Sequence, residues 1–118
     1  MTKPLRPEII RPRVRLGDVV PIGPGKMELL RAVAEQGSIS GAARLLGMSY
    51  KRAWSLLNEL QRAVPAPLIE TAAGGSRGGG ATVTPAGLAL LAQYDELERT
   101  CTHAAAPILT KMRRLLRR

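Results

Sequence analysis

Gly37-Ser38-Ile39-Ser40-Gly41-Ala42-Ala43-Arg44-Leu45-Leu46-Gly47-Met48-Ser49 is the stretch that decides the architecture of this chain. Gly37 stops a preceding helix, and Ser38 is a natural N-cap for the next. Ser40 to Leu46 then forms a second short helix carrying Ala42, Ala43, Leu45 and Leu46, with Gly47 as its C-terminal residue. Ser49 caps a third helix running to about Val64, where Pro65 and Pro67 forbid continuation. Upstream, from Lys26, Met27, Leu30, Val33 and Ala34 recur at three- and four-residue spacing and predict a first helix. The paired alanines allow close helix packing, and Gly47 permits a sharp turn.

At 100° per residue, Ala53, Leu56, Leu57, Leu60 and Val64 fall on one side of the third helix and predict its buried stripe. Lys51, Ser55, Asn58 and Arg62 point the opposite way, and Trp54 lies on the flank. Two cations, a hydroxyl and an amide on one exposed stripe are equipped to meet base edges and phosphates. Leu68-Ile69-Glu70-Thr71 and Ala81-Thr82-Val83-Thr84 read as short strands around the glycine-rich tip Gly74–Gly80, which carries Arg77. Thr84-Pro85 opens a last helix, with Thr84 as N-cap and Pro85 in the first helical position. Leu88, Leu91 and Ala92 supply its apolar stripe. Pro107 is expected to break or kink it before a basic amphipathic segment from Ile108 to Arg118.

Helix, tight turn, helix, hairpin, helix is the winged helix-turn-helix order. The fold class expected is mainly α with a small β wing, plus a long C-terminal dimerisation helix. Residues 1–12 form a basic, mobile arm with Pro4, Pro7 and Pro12; residues 13–84 form the winged DNA-binding domain; residues 85–118 form the dimerisation helix and basic tail. Within the second of these, Arg13 to Val20 alternates at period two and predicts a short strand.

Composition narrows the function. The 118 residues hold 18 Lys+Arg against 9 Asp+Glu, a net charge of +9 that favours a polyanionic partner, nucleic acid before an anionic membrane surface. Phe is absent, so the core is built from Leu, Ala, Val and Ile. Cys101 is the single cysteine, which excludes an internal disulfide and a multi-cysteine zinc site. His103 is the single histidine, so a catalytic triad or two-histidine metal site has little to build on. Cys101-Thr102-His103 offers two ligands, too few for a closed metal site. No metal, cofactor or catalytic set is expected. The glycine-rich tip lacks the Lys-Ser/Thr and the strand-to-helix context of a phosphate loop. No apolar run approaches the roughly 20 residues of a membrane span, and residues 1–15 lack a signal-peptide core. A cytoplasmic protein is expected.

Gly37-Ser38-Ile39-Ser40-Gly41-Ala42-Ala43, Met48-Ser49-Tyr50-Lys51-Arg52-Ala53-Trp54, Asn58-Glu59, and the wing closing into Thr84-Pro85-Ala86-Gly87 resemble the ModE-type molybdate-responsive transcriptional regulators. More distantly the unit is similar to LysR-type regulators. The resemblance covers roughly residues 14–100, and the Met-Ser-Tyr-Lys-x-Ala-Trp block with the glycine-rich wing is its most specific part. It implies an N-terminal DNA-binding and dimerisation domain, to which the family appends a C-terminal oxyanion-sensing domain. The chain ends at Arg118, so the expectation is a regulator without that sensor and without molybdate binding of its own. The wing differs from the family in Ser76-Arg77, which interrupts the glycine run.

The candidate DNA-binding residues are Ser49, Tyr50, Lys51, Arg52, Ser55, Asn58, Arg62 and Arg77. Tyr50 either packs in the core or binds a phosphate, Trp54 is a packing anchor before it is a base reader, and Arg77 suits a phosphate or the minor groove. Asp95, Glu96 and Glu98 read as a solvated acidic face. Leu88, Leu91 and Ala92 are the candidate dimerisation residues. The function expected is a homodimeric regulator that reads a pseudo-palindromic operator in double-stranded DNA. Two alternatives share the basic arms, which hold five cations before residue 16 and five after residue 110. One is an architectural protein without sequence preference; the other is the DNA-binding subunit of a separate sensor protein.

Overall fold

The computed structural model describes residues 8–16, 18, 21–72 and 80–116. Its elements are α1 (Pro24–Gln36), α2 (Ile39–Leu46), α3 (Tyr50–Arg62), β1 (Ile69–Thr71), β2 (Ala81–Val83) and α4 (Pro85–Leu115), the expected winged order. Punctuation residues set the boundaries. Gly37 and Gly47 end α1 and α2 in the left-handed region, at φ 73° and 69°, which side-chain-bearing residues rarely adopt. Ser38, Ser49 and Thr84 cap α2, α3 and α4 through their side-chain oxygens.

Helix α1 sits at the centre, against α2, α3, α4 and β2. Its buried residues are Met27, Leu29, Leu30, Ala32 and Val33. The single stripe expected from spacing included Ala34, which is exposed. A helix surrounded on several sides buries a wider arc than a surface helix, and Leu29 and Ala32 complete that arc. Leu60 of α3 and Leu68 join the fully buried set, and Val83, Leu91 and Tyr94 close the core from the wing and α4. Leu45, by contrast, is 56% exposed at the end of α2.

The two strands pair antiparallel with Ile69 opposite Val83 and Thr71 opposite Ala81. The Ala81 amide points away from β1 and donates to the Gly37 carbonyl at 2.9 Å, tying the wing to the turn after α1. Arg13 to Val20 does not extend as a strand among the described residues. Val14 and Ile22 form one isolated antiparallel bridge, with N–H to O distances of 2.7 and 2.8 Å. Pro21, beside Ile22, has no N–H to carry the pairing further.

Helix α4 also departs from expectation, since it runs unbroken through Pro107 to Leu115. Proline removes one helical donor and crowds the carbonyl four residues back, a cost of about 3 kcal/mol in a helix interior. His103 and Pro107 are both exposed, so the carbonyl left without a donor faces water. The N-terminal arm is likewise held in its described part. The Ile10 amide donates to Thr102 Oγ1 at 2.9 Å, and Tyr94 Oη donates to the Pro12 carbonyl at 2.6 Å. Arg113, in the last turn of α4, pairs with Glu8.

Candidate nucleic-acid interface

The exposed face of α3 is built by its buried one. Ala53, Leu57 and Leu60 fix the roll of the helix against the core, with Leu56 and Val64 half-buried at the stripe's margin. Lys51, Arg52, Ser55, Asn58 and Arg62 are consequently all exposed, and so is Tyr50 in the first turn. Trp54 is half-buried, and its ring meets Tyr50 edge to face at 6.2 Å between centroids and 76° between planes. Tyr50 is therefore outside the core, its ring held by an aromatic neighbour. Ser49 Oγ accepts from the Arg52 amide at 3.0 Å, so this hydroxyl is a helix cap first and keeps its proton to donate to a ligand.

Arg11 pairs with Glu28 at 2.8 Å and lies 3.8 Å from Glu98, while Arg31 donates to Asp95. These contacts join the N-terminal segment, α1 and α4. Asp95 and Glu98, expected as a solvated face, are thus ion-paired. On α3, Glu59 lies 3.4 Å from Lys26 Nζ, which also reaches the Pro21 carbonyl. Among the described residues no carboxylate pairs with Arg44, Lys51, Arg52 or Arg62. Arg13, Arg15, Arg99, Lys111 and Arg114, in the N-terminal segment and α4, likewise have no carboxylate partner among the described residues.

Gln61 is a residue that sequence reasoning missed. Its Nε2 donates to the carbonyls of Val64 and Ala66, at 3.1 and 2.8 Å, and its Oε1 accepts from the Leu68 amide at 2.8 Å. One side chain so closes the turn from α3 into the wing. The only signal was a glutamine in the last helical turn before two prolines. Thr84 fastens the other side of the wing, since its Oγ1 donates to the Pro67 carbonyl at 2.6 Å and accepts from the Gly87 amide at 3.1 Å. Arg77 and the tip as far as Gly79 lie outside the described residues.

The three candidate dimerisation residues do not share a surface. Leu88 is 50% exposed and Ala92 is exposed, but Leu91 is 5% exposed and belongs to the chain's own core. A stripe at three- and four-residue spacing cannot by itself distinguish a helix face buried within the chain from one offered to a partner. Further along α4, Ile108, Met112 and Leu115 are exposed. Cys101 is half-buried, His103 is exposed, and no group of three potential metal ligands occurs among the described residues. A cavity of about 150 Å³ between the N-terminal segment, α1 and α4 sets Arg11 and Arg31 beside Glu28, Asp95 and Glu98. No helix among the described residues is long and apolar enough to cross a membrane.

The family model for bacterial regulatory helix-turn-helix proteins of the lysR family matches residues 25–88, from the start of α1 to the first turn of α4. The chain is 46% identical over 83 residues to the molybdenum-pterin-binding protein MopA of Rhodobacter capsulatus, covering 70% of this chain and 31% of that protein. It is 40% identical over 91 residues to the transcriptional regulator ModE of Haemophilus influenzae, covering 77% of this chain and 36% of that protein. Identity to the DNA-binding transcriptional dual regulator ModE of Escherichia coli K12 is 43% over 74 residues, or 63% and 28% of the two chains. The chain spans about a third of the length of these curated relatives. The likeness to ModE-type and, more broadly, LysR-type regulators therefore extends beyond the short motifs to most of this chain.

Proposed function

The chain belongs to the lysR family of bacterial regulatory helix-turn-helix proteins, and from that premise we propose that it is a transcriptional regulator that binds a pseudo-palindromic operator as a homodimer. The observation that carries this reading is the exposed row Lys51, Arg52 and Arg62 on α3, without carboxylate partners among the described residues and interleaved with Ser55 and Asn58. Cations secure the phosphates, and neutral donors exposed between them are suited to base edges or to phosphate oxygens. Ser49 and Tyr50 stand at the helix N-terminus, where the backbone of a major groove about 12 Å wide comes nearest. Arg77 is assigned the minor groove or its flanking phosphates.

The exposed Leu88, Ile108, Met112 and Leu115 of α4 support pairing with a second copy. Two-fold symmetry then spaces the half-sites by one or more helical turns, roughly 34 Å each. Selection of bound sites from a random duplex pool is the test. An inverted repeat is the expected product; a pool without any enriched sequence refutes sequence-specific binding, and a lone half-site refutes the dimer.

A further inference from the structure

Between α3 and the wing runs a cleft of about 220 Å³ in which Asn58 is the one proposed DNA contact. Trp54 and Asn58 form its α3 wall, Ile69 and Thr71 its β1 wall, and Gln61 closes one end. Ile69 and Thr71 share a strand face because side chains alternate along β1. The floor, Leu57 and Leu68, belongs to the buried core. We propose that this cleft seats one phosphodiester of the operator, with Asn58 Nδ2 and Thr71 Oγ1 donating to its non-bridging oxygens and Trp54 and Ile69 lying against the flanking deoxyriboses.

Three observations converge, all resting on the DNA-binding reading. The first is position: with α3 in a major groove and the hairpin over the adjacent minor groove, the strand dividing the two grooves passes between α3 and β1. The second is chemistry. No carboxylate lines this cleft, whereas Glu28, Asp95 and Glu98 line the cavity on the opposite, α1–α4 side. Asn58 and Thr71 are exposed, and among the described residues neither side chain has a hydrogen-bond partner. They are neutral donors suited to phosphate oxygens, and the two apolar walls suit sugar. The third is rigidity. Both Nε2 protons of Gln61 are spent on the Val64 and Ala66 carbonyls, and its Oε1 on the Leu68 amide. Gln61 therefore cannot itself bind DNA; it is a positioning residue that fixes the distance between the walls. Asn58 is accordingly moved from base readout to backbone contact.

The test uses the full chain and the operator recovered by selection, synthesised with one neutral methylphosphonate linkage stepped along each strand. Wild-type protein loses about tenfold in affinity at one linkage per half-site, between the stretch protected by α3 and that protected by the wing. Asn58→Ala and Thr71→Val each weaken the unmodified operator, yet lose less than twofold more when that linkage is neutral, because the contact is already gone. Thr71→Ser retains wild-type behaviour, and thermal midpoints verify that each variant is folded. A full methylphosphonate penalty in both alanine-type variants, or none in wild type at any linkage between the two protected stretches, overturns the seat while leaving DNA binding intact. A changed base preference on reselection with Asn58→Ala overturns it as well. Failure of wild type to bind any selected duplex refutes the underlying function instead.

Discussion

Gly87→Ala tests whether the wing and α4 are packed as described, because one methyl group would strike both at once. A Cβ at Gly87 would lie 2.5 Å from Val83 Cγ1 and 2.7 Å from the Leu68 carbonyl oxygen. The second neighbour is backbone, and it already accepts from the Thr84 amide at 2.9 Å, so it cannot retreat without breaking that bond. Overpacking of this kind costs about 1–3 kcal/mol. Removing a glycine from a helix returns up to about 1 kcal/mol, leaving a net loss of about 1–2 kcal/mol. For a domain of this size that lowers the thermal midpoint by about 5–10 °C. Gly25→Ala is the matched control, since it lies in the first turn of α1 with nothing within 4 Å of its added Cβ. That substitution should leave the midpoint unchanged or raise it. Circular dichroism melts of the three proteins decide the matter, and a Gly87→Ala protein as stable as wild type would refute the close approach of α4 to the wing.

On α4, Leu91→Ala should cost about 2–5 kcal/mol as a buried leucine truncation, whereas Leu88→Glu should change stability little and shift sedimentation from dimer to monomer; a dimeric Leu88→Glu protein moves the interface elsewhere. Burial raises the Tyr94 hydroxyl above its ordinary value of 10.0. Both states are un-ionised below that value, and above it the unfolded chain ionises first, so wild-type stability should fall from about pH 10 upward while Tyr94→Phe shows a shallower decline in urea melts. Arg62→Ala should reduce the slope of log affinity against log salt by about 0.9, the share of one phosphate contact, and an unchanged slope would remove Arg62 from the interface. Molybdate should leave the DNA affinity of these 118 residues unaltered, because the cavity holding Arg11 and Arg31 also presents three carboxylates to an incoming dianion; saturable heat on titration with molybdate would contradict this.

Local chemistry made much of the fold legible. Ser38, Gly47, Ser49 and Thr84-Pro85 each act through bonds or torsions within a few residues, and each marks its helix boundary where the structure has it. The exposed row on α3 was legible for a related reason, since a period of 3.6 places Lys51, Ser55, Asn58 and Arg62 opposite the leucines whatever the tertiary partner. What escaped depends on distant segments. Nothing near Leu91 says that it meets the wing-side core and not a second chain, and nothing near Ile10 announces Thr102, 92 residues away. Pro107 misled because its local cost is certain, while the exposure that lets α4 bear it is set by the rest of the fold.

The candidate interface owes its character to that same non-local organisation. Acidic residues are scattered along the chain, and by spacing alone Asp95, Glu96 and Glu98 look like solvent decoration. Folding brings Arg11 and Arg31 against Glu28, Asp95 and Glu98, so that these charges pair within the chain. Such exposed pairs add little to stability, typically 0–1 kcal/mol each. Arg44, Lys51, Arg52 and Arg62 on α2 and α3 stand without carboxylate partners among the described residues, as do Arg13, Arg15, Arg99, Lys111 and Arg114 elsewhere. Under the proposed function, the four cations on α2 and α3 add to the attraction between DNA and the α3 face. Charge reversal at Asp95 is therefore distinguishable from charge removal at Arg62. Asp95→Lys breaks the Arg31 pair and spreads positive potential onto the α1–α4 side, so it should raise affinity for random DNA while leaving affinity for the operator nearly constant. Arg62→Ala should lower both. Equal changes for the two kinds of DNA with Asp95→Lys would mean that the placement of charge does not orient binding.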